Sequence, residues 1–229
     1  GTGKSPLTQW LARSLADAGV RAVTIRHPMP YGNLRAQAVQ RFATPADLDL
    51  QDCTIEEREE YEPYVRQGLV IFAGVDYAAI LQAAEAEADI ILWDGGNNDF
   101  SFVRADLNIV VCDALRAGHG LDYYPGETNF RAADIVVINK TGQASTADID
   151  SIRRLKDAIN PEAGLVTADL EVSVEAPESI RGKRVLIVED GPTVTHGGMG
   201  YGAGWVAAHK YGVGEVVDPR TCAVGSLVD

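Results

Sequence analysis

The sequence is short of several things. Its 229 residues include only three cysteines, Cys53, Cys112 and Cys222. They lie far apart and form no Cys-x-x-Cys pair, so neither a zinc ribbon nor a disulfide framework is indicated. A reduced, cytoplasmic setting is expected. No apolar run approaches the roughly 18 residues of a membrane helix, and no signal-peptide pattern appears, so no membrane partner is expected. Positive charge is the minority: 20 Lys and Arg stand against 33 Asp and Glu, a net charge of -13. A nucleic-acid partner would need a basic surface and is not expected. A nucleotide needs only a few local positive groups and stays open. No repeat or low-complexity tract is evident. There is no initiator methionine, and the chain opens inside a motif that normally follows a strand. A preceding strand and a first loop glycine are therefore expected upstream of what is given.

Apolar residues make up 46% of the chain, enough for one large α/β domain. Helices are expected over Pro6–Gly19, Leu34–Phe42, from Thr54 through the acidic run, over Asp76–Ala88 and over Ala147–Ile159. Strands are expected over Arg21–Ile25, Val70–Ala73, Asp89–Trp93, Leu107–Cys112, Ala133–Asn139, Gly164–Ala168 and Val185–Glu189. Apolar strands alternating with helices predict a three-layer α/β domain of P-loop NTPase type with a mostly parallel sheet. Ligands in such sheets bind at the carboxyl ends of the strands. The polar and glycine-rich segments fall there.

The opening run Gly1-Thr2-Gly3-Lys4-Ser5, with Pro6 after it, reads as a phosphate-binding loop entering a helix. Its glycines let backbone N–H groups converge on phosphate oxygens. Lys4 suits the β- and γ-phosphates, and the Ser5 hydroxyl suits Mg2+. The bland alternative is a glycine-lysine turn capping a helix. Asp94 follows the apolar strand Ile90-Ile-Leu-Trp93, the usual place of an acid that holds magnesium beside such a loop. Asn97 is a substrate contact or part of an Asx turn. Asn139-Lys140 ends a strand where P-loop GTPases carry Asn-Lys-x-Asp. The acid of that motif pairs with the guanine N1 and amino groups, but here the fourth position is Gly142. The nucleotide is read as ATP, with GTP possible.

A second set of loops suits an anion. Arg26 can neutralise a substrate phosphate or carboxylate, or serve as a surface ion pair. Arg116, His119 and Glu127 share one loop and are candidate substrate contacts. The run Glu56–Glu62 is a solvated helix face or a contact to a partner or metal. The segment Glu189–Met199 gathers two acids, hydroxyls, glycines and His196. Glu189 or Asp190 is a candidate metal ligand, and His196 a candidate acid, base or phosphate contact. Lys4, Asp94, Arg26 and His196 are the candidate catalytic set.

The blocks RHPMPYGNL, QAVQRFAT, CTIEEREEYEPYV, ILWDGGNNDF, YYPGETN, VVINK, VEDGPTVTHGGMGYGAG and VDPRTCAVGS resemble the cyclic 2,3-diphosphoglycerate synthetase-like predicted GTPases over nearly the whole chain. The resemblance implies that 1–229 is the P-loop nucleotide-binding part of a longer protein, between a Rossmann-like segment and a C-terminal segment. It implies ATP-dependent closure of 2,3-diphosphoglycerate to an intramolecular diphosphate, with release of ADP and phosphate. A small phosphorylated substrate is the expected partner, and a homo-oligomer is compatible. Two other readings stay open: a regulatory or metallochaperone-type NTPase, and a non-catalytic nucleotide-binding subunit.

Overall fold

A computed structural model describes residues 1–229 apart from 30–32, 96–99, 190–193, 195–197, 222 and 226–229. It divides into two compact units, Thr2–Asp169 and Leu170–Asp229, with Gly1 grouped with the latter.

The larger unit carries two sheets. In the first the order is β2-β3-β1-β4, from Ala22–Arg26 (β1), Gln40–Phe42 (β2), Val70–Ala73 (β3) and Ile90–Trp93 (β4). β1 runs parallel to β3 and β4, and β2 antiparallel to β3. Alternating side chains feed two cores. On one face Ile71 and Ala73 pack with Phe42, Tyr61, Tyr64 and Ala12. On the other Val23, Ile25 and Phe72 pack with Ile80 and Ala84. Helices Lys4–Asp17 (α1) and Ile55–Arg66 (α3) therefore cover one face, and Tyr77–Glu87 (α4) the other. This is the expected three-layer α/β arrangement with a mostly parallel sheet. The second sheet, β5-β6-β7, is all parallel, from Ile109–Asp113, Ile135–Asn139 and Gly164–Thr167. Helix α7 (Thr146–Ile159) closes one of its faces through Ile152 against Ile138.

Several helix starts are set by local chemistry. Thr54 and Glu57 form a reciprocal capping box at α3, with Glu56 and Glu57 in its first turn, as the acidic run suggested. Asp76 caps α4 and Ser145 caps α7.

The helix expected over Leu34–Phe42 does not form. Asn33 Oδ1 accepts from the N–H groups of Arg35 and Ala36, which starts a turn. Gln40–Phe42 then pairs with β3, burying Phe42 against the Tyr61 ring at 4.7 Å. The alternation buried-exposed-buried in three residues is a strand period, too short to distinguish from one face of a helix. Short helices Pro45–Leu50 (α2), His119–Asp122 (α5) and Gly126–Arg131 (α6) occupy stretches that looked irregular.

In the Leu170–Asp229 unit the expected strand Val185–Glu189 shrinks to Arg184–Val185 (β8), which pairs with Glu215–Val216 (β9). Leu186 and Val188 stand largely exposed, so nothing rewards extending the pairing. The helix Ala203–Lys210 (α8) follows shortly after the segment Glu189–Met199.

Candidate functional site

The phosphate-loop candidate opens α1. Gly3 is the residue before the helix, left-handed at φ 100, a conformation that favours glycine. A Cβ there would overlap the Asn139 side chain. Asn139 in turn donates through Nδ2 to the Thr2 carbonyl at 2.8 Å. The last residue of β6 thus braces the loop from below, and the glycine is needed for that approach. Lys4, Ser5 and Pro6 form the first turn, where proline is tolerated and where backbone N–H groups are left without helical partners. Such a turn attracts anions.

Lys4 is the electrostatic centre. Burial pushes its ammonium below the usual lysine value; Asp94 and Glu60 oppose that shift, while Arg26 and Arg116 add to it. Three of the predicted groups, Arg26, Asp94 and Arg116, therefore lie within electrostatic reach of the loop lysine. Asp94 and Glu60 offset the cost of desolvating this ammonium only in part, and a polyphosphate would relieve the rest.

Asp94, buried at the end of β4, accepts from the Tyr64 hydroxyl at 2.9 Å. Burial and the Asp94 charge push the Tyr64 phenol well above its usual range. Arg26, ending β1, sits 3.6 Å from Asp94 and ion-pairs with Glu60. Glu60 and Tyr64 are one helical turn apart on α3, so one helix face holds both partners. Sequence reasoning read Glu60 only as part of an acidic run. The i, i+4 placement of Glu60 and Tyr64 was the available signal.

A second buried group closes β5 and β6. Asp113 Oδ2 accepts from Lys140 Nζ at 2.7 Å and from Arg116 at 2.9 Å and 3.1 Å. Burial pushes the Asp113 carboxyl up, but bonds and charge from Lys140 and Arg116 outweigh it and hold the carboxyl below its usual value. Lys140 has φ 64, the left-handed turn that carries its side chain down to Asp113. Lys140 was expected beside a nucleotide base; the structure places its ammonium in this buried pair. Asp113 went unread, although it follows Ile109-Val-Val-Cys112 just as Asp94 follows its strand.

The remaining candidates are scattered. His119 is exposed, with its ring 4.9 Å from that of Tyr123. Glu127 pairs with Arg131 one turn along α6 at 2.7 Å, on an exposed face. In the other unit, Glu189 Oε1 accepts from the N–H groups of Gly202 at 3.1 Å and Trp205 at 2.9 Å, capping α8. Asn97, Asp190 and His196 lie outside the described residues. Among the described residues no group of three or more His, Cys, Asp or Glu could hold a metal ion. No helix among the described residues is long and apolar enough to cross a membrane.

No family model matches this chain. It is 59% identical over 229 residues to "Arginine synthetase ArcE" of Thermococcus kodakarensis, covering 100% of this chain and 51% of that protein. It is 31% identical over 156 residues to a tetraacyldisaccharide 4'-kinase of Janthinobacterium sp., covering 67% of this chain and 43% of that one. It is 28% identical over 130 residues to the cyclic 2,3-diphosphoglycerate synthetase of Thermococcus sibiricus, covering 55% of this chain and 29% of that protein. Among solved structures, the MinC:MinD complex of Aquifex aeolicus superposes with a TM-score of 0.32 at 16% identity, over 78% of this chain and 68% of that one. The chain thus spans about half the length of its 59%-identical relative and less of the other two. In all three of these relatives the shared stretch is part of a protein named for a synthetase or a kinase.

Proposed function

We propose that this chain is the nucleotide-binding part of a synthetase that uses phosphoryl transfer from a nucleoside triphosphate, ATP or GTP, to activate a small substrate. The observation that carries this reading is Lys4 in the first turn of α1, directly after the left-handed Gly3, desolvated and within the electrostatic reach of Asp94, Arg26 and Arg116. Backbone N–H groups of the first turn of α1 would hold the phosphates, and Lys4 would neutralise charge on the transferring group. Arg26 and Arg116, each oriented by a carboxylate, would hold the anionic end of the second substrate and the charge shared with it. Magnesium on Ser5 and Asp94 would neutralise phosphate charge when bound.

The 59% match over the whole chain favours an arginine-forming reaction as the first substrate reading. Arginine differs from its ureido counterpart by nitrogen in place of one oxygen. Phosphorylation makes that oxygen a leaving group, and ammonia displaces it as phosphate. The second reading is closure of 2,3-diphosphoglycerate to its cyclic diphosphate, which the 28% match and the cationic site support. Phosphorus NMR on the full protein with Mg2+ and ATP or GTP separates the two. One arm adds a ureido amino acid with ammonium, the other 2,3-diphosphoglycerate. The expected result is nucleotide turnover in one arm, with arginine or a cyclic diphosphate formed. Turnover indifferent to both additions, with neither product, would contradict the synthetase reading.

A further inference from the structure

The loop leaving β6 touches the phosphate loop at its first residue. There Asn139 braces Thr2. At its far end, Gly142 stands at the fourth position of the Asn-Lys-x-Asp pattern. The structure shows what occupies the space its side chain would have filled. A Cβ built on Gly142 would overlap Asp169 Oδ2 and lie 3.1 Å from Asp169 Cγ. A carboxylate is therefore present where the pattern calls for one, delivered from the neighbouring strand.

Its delivery is fixed by the sheet. β7 lies parallel to β6, and Ala168 N–H donates to the Ile138 carbonyl at 2.8 Å. The Thr141 N–H and hydroxyl both donate to the Ala168 carbonyl, at 3.3 Å and 3.1 Å. These bonds clamp residues 138–142 to residues 168–169. Asp169 is itself exposed, as a group that meets a ligand must be. It stands at the carboxyl end of a parallel strand, on the side where such sheets bind ligands. Lys140, the other member of the pattern, is committed to Asp113 below.

We propose that Asp169 is the residue that reads the base of the bound nucleotide, accepting from the exocyclic amine of a purine in place of the acid absent at Gly142. The inference rests on the phosphate-site reading of Lys4. A carboxylate offers only acceptors, on two oxygens. Guanine presents two adjacent donors, N1–H and the 2-amine, and engages both oxygens. Adenine presents its 6-amine alone beside an acceptor nitrogen, and engages one.

The test is calorimetric titration of the full protein with ATP, GTP, ITP and inorganic tripolyphosphate. ITP carries no exocyclic amine, and tripolyphosphate reports the phosphate loop alone. Wild type should bind GTP or ATP more tightly than ITP, and which of the two it favours identifies the edge that is read. Asp169→Asn should lose roughly 10- to 100-fold in affinity for that nucleotide, the size of a good base contact, while tripolyphosphate binding holds. The double variant Gly142→Asp with Asp169→Gly returns a carboxylate to the same space and should recover at least part of the loss. Wild type that does not distinguish the amine-bearing nucleotides from ITP, or Asp169→Asn that binds all of them like wild type, would overturn the proposal and leave the phosphate site standing. Wild type that binds neither nucleotide nor tripolyphosphate would overturn the phosphate-site reading, and this inference with it.

Discussion

Asp94 after Ile90-Ile-Leu-Trp93 and Asp113 after Ile109-Val-Val-Cys112 are near twins in sequence, and both end buried. Their surroundings separate them. Asp113 is enclosed by two cations, Lys140 and Arg116, within 3 Å. Asp94 accepts from a neutral tyrosine hydroxyl, and Arg26, 3.6 Å away, leans toward Glu60 instead. The first carboxylate is locked by full charge pairing. The second is held by one hydrogen bond and one longer ion pair, an environment that leaves it open to the proposed metal and polyphosphate. A strand-end acid is thus a common signal whose meaning is decided by the groups that the fold brings to it.

The contrast can be broken at several points. Asp113→Ala should have the largest effect on stability. It strands a buried ammonium and leaves Arg116 unpaired, at a cost of about 3–5 kcal/mol in chemical denaturation. The acid side of the stability profile should follow the same group. The folded Asp113 carboxyl titrates below its ordinary value, so its contribution is present above the unfolded carboxylate range, near pH 4, and is lost as pH falls through the folded value. Asp113→Ala should flatten that acid limb.

Lys4→Ala inverts the pattern. Nucleotide turnover should fall by roughly 100- to 1000-fold, the usual cost of removing a preorganised charge-stabilising group. The folded state should lose nothing, because a desolvated cation is removed; a thermal melt beside the turnover assay checks both. Tyr64→Phe lies between these extremes. It deletes one hydrogen bond to the buried Asp94 carboxylate, worth about 1.5–3 kcal/mol, and should weaken metal-nucleotide binding more than tripolyphosphate binding.

A pH series sharpens the contrast further. Lys4 titrates below the ordinary lysine value in the free protein, and bound phosphate favours its charged form. Affinity should be level below the free-state value and then fall up to about tenfold per pH unit as pH rises through it. In Lys4→Ala this limb should be absent. The smallest effect belongs to Glu127→Ala. Its pair with Arg131 is exposed and one turn apart, so the expected loss is about 0.3–0.5 kcal/mol, with nucleotide affinity unchanged.

The layered fold was legible because its signals are local. Strand runs such as Val70–Ala73, the Thr54 and Glu57 capping box and the glycine-lysine loop all declare themselves within a few residues. The strand-end places of Asp94 and Arg26 were legible for the same reason, since each closes a short apolar strand run. What escaped depends on partners distant in the chain. Gln40–Phe42 becomes a strand only because β3 is there to pair with it. Glu60 reaches the site only because α3 crosses the end of β1. Asp169 matters only because β7 lies beside β6 and Gly142 leaves a gap. Lys140 sits where the Asn-Lys pattern expects it, but the buried acid that holds it lies 27 positions upstream.

The central claim is that Lys4, set among Asp94, Arg26 and Arg116, holds a polyphosphate. Equilibrium titration of the magnesium nucleotide into the full protein, wild type against Lys4→Ala at neutral pH, tests it most directly. Saturable binding by wild type, weakened at least 100-fold in a folded Lys4→Ala protein, is the expected result. Equal affinity in the two proteins would contradict the account, because the loop lysine would then have no part in holding the phosphates.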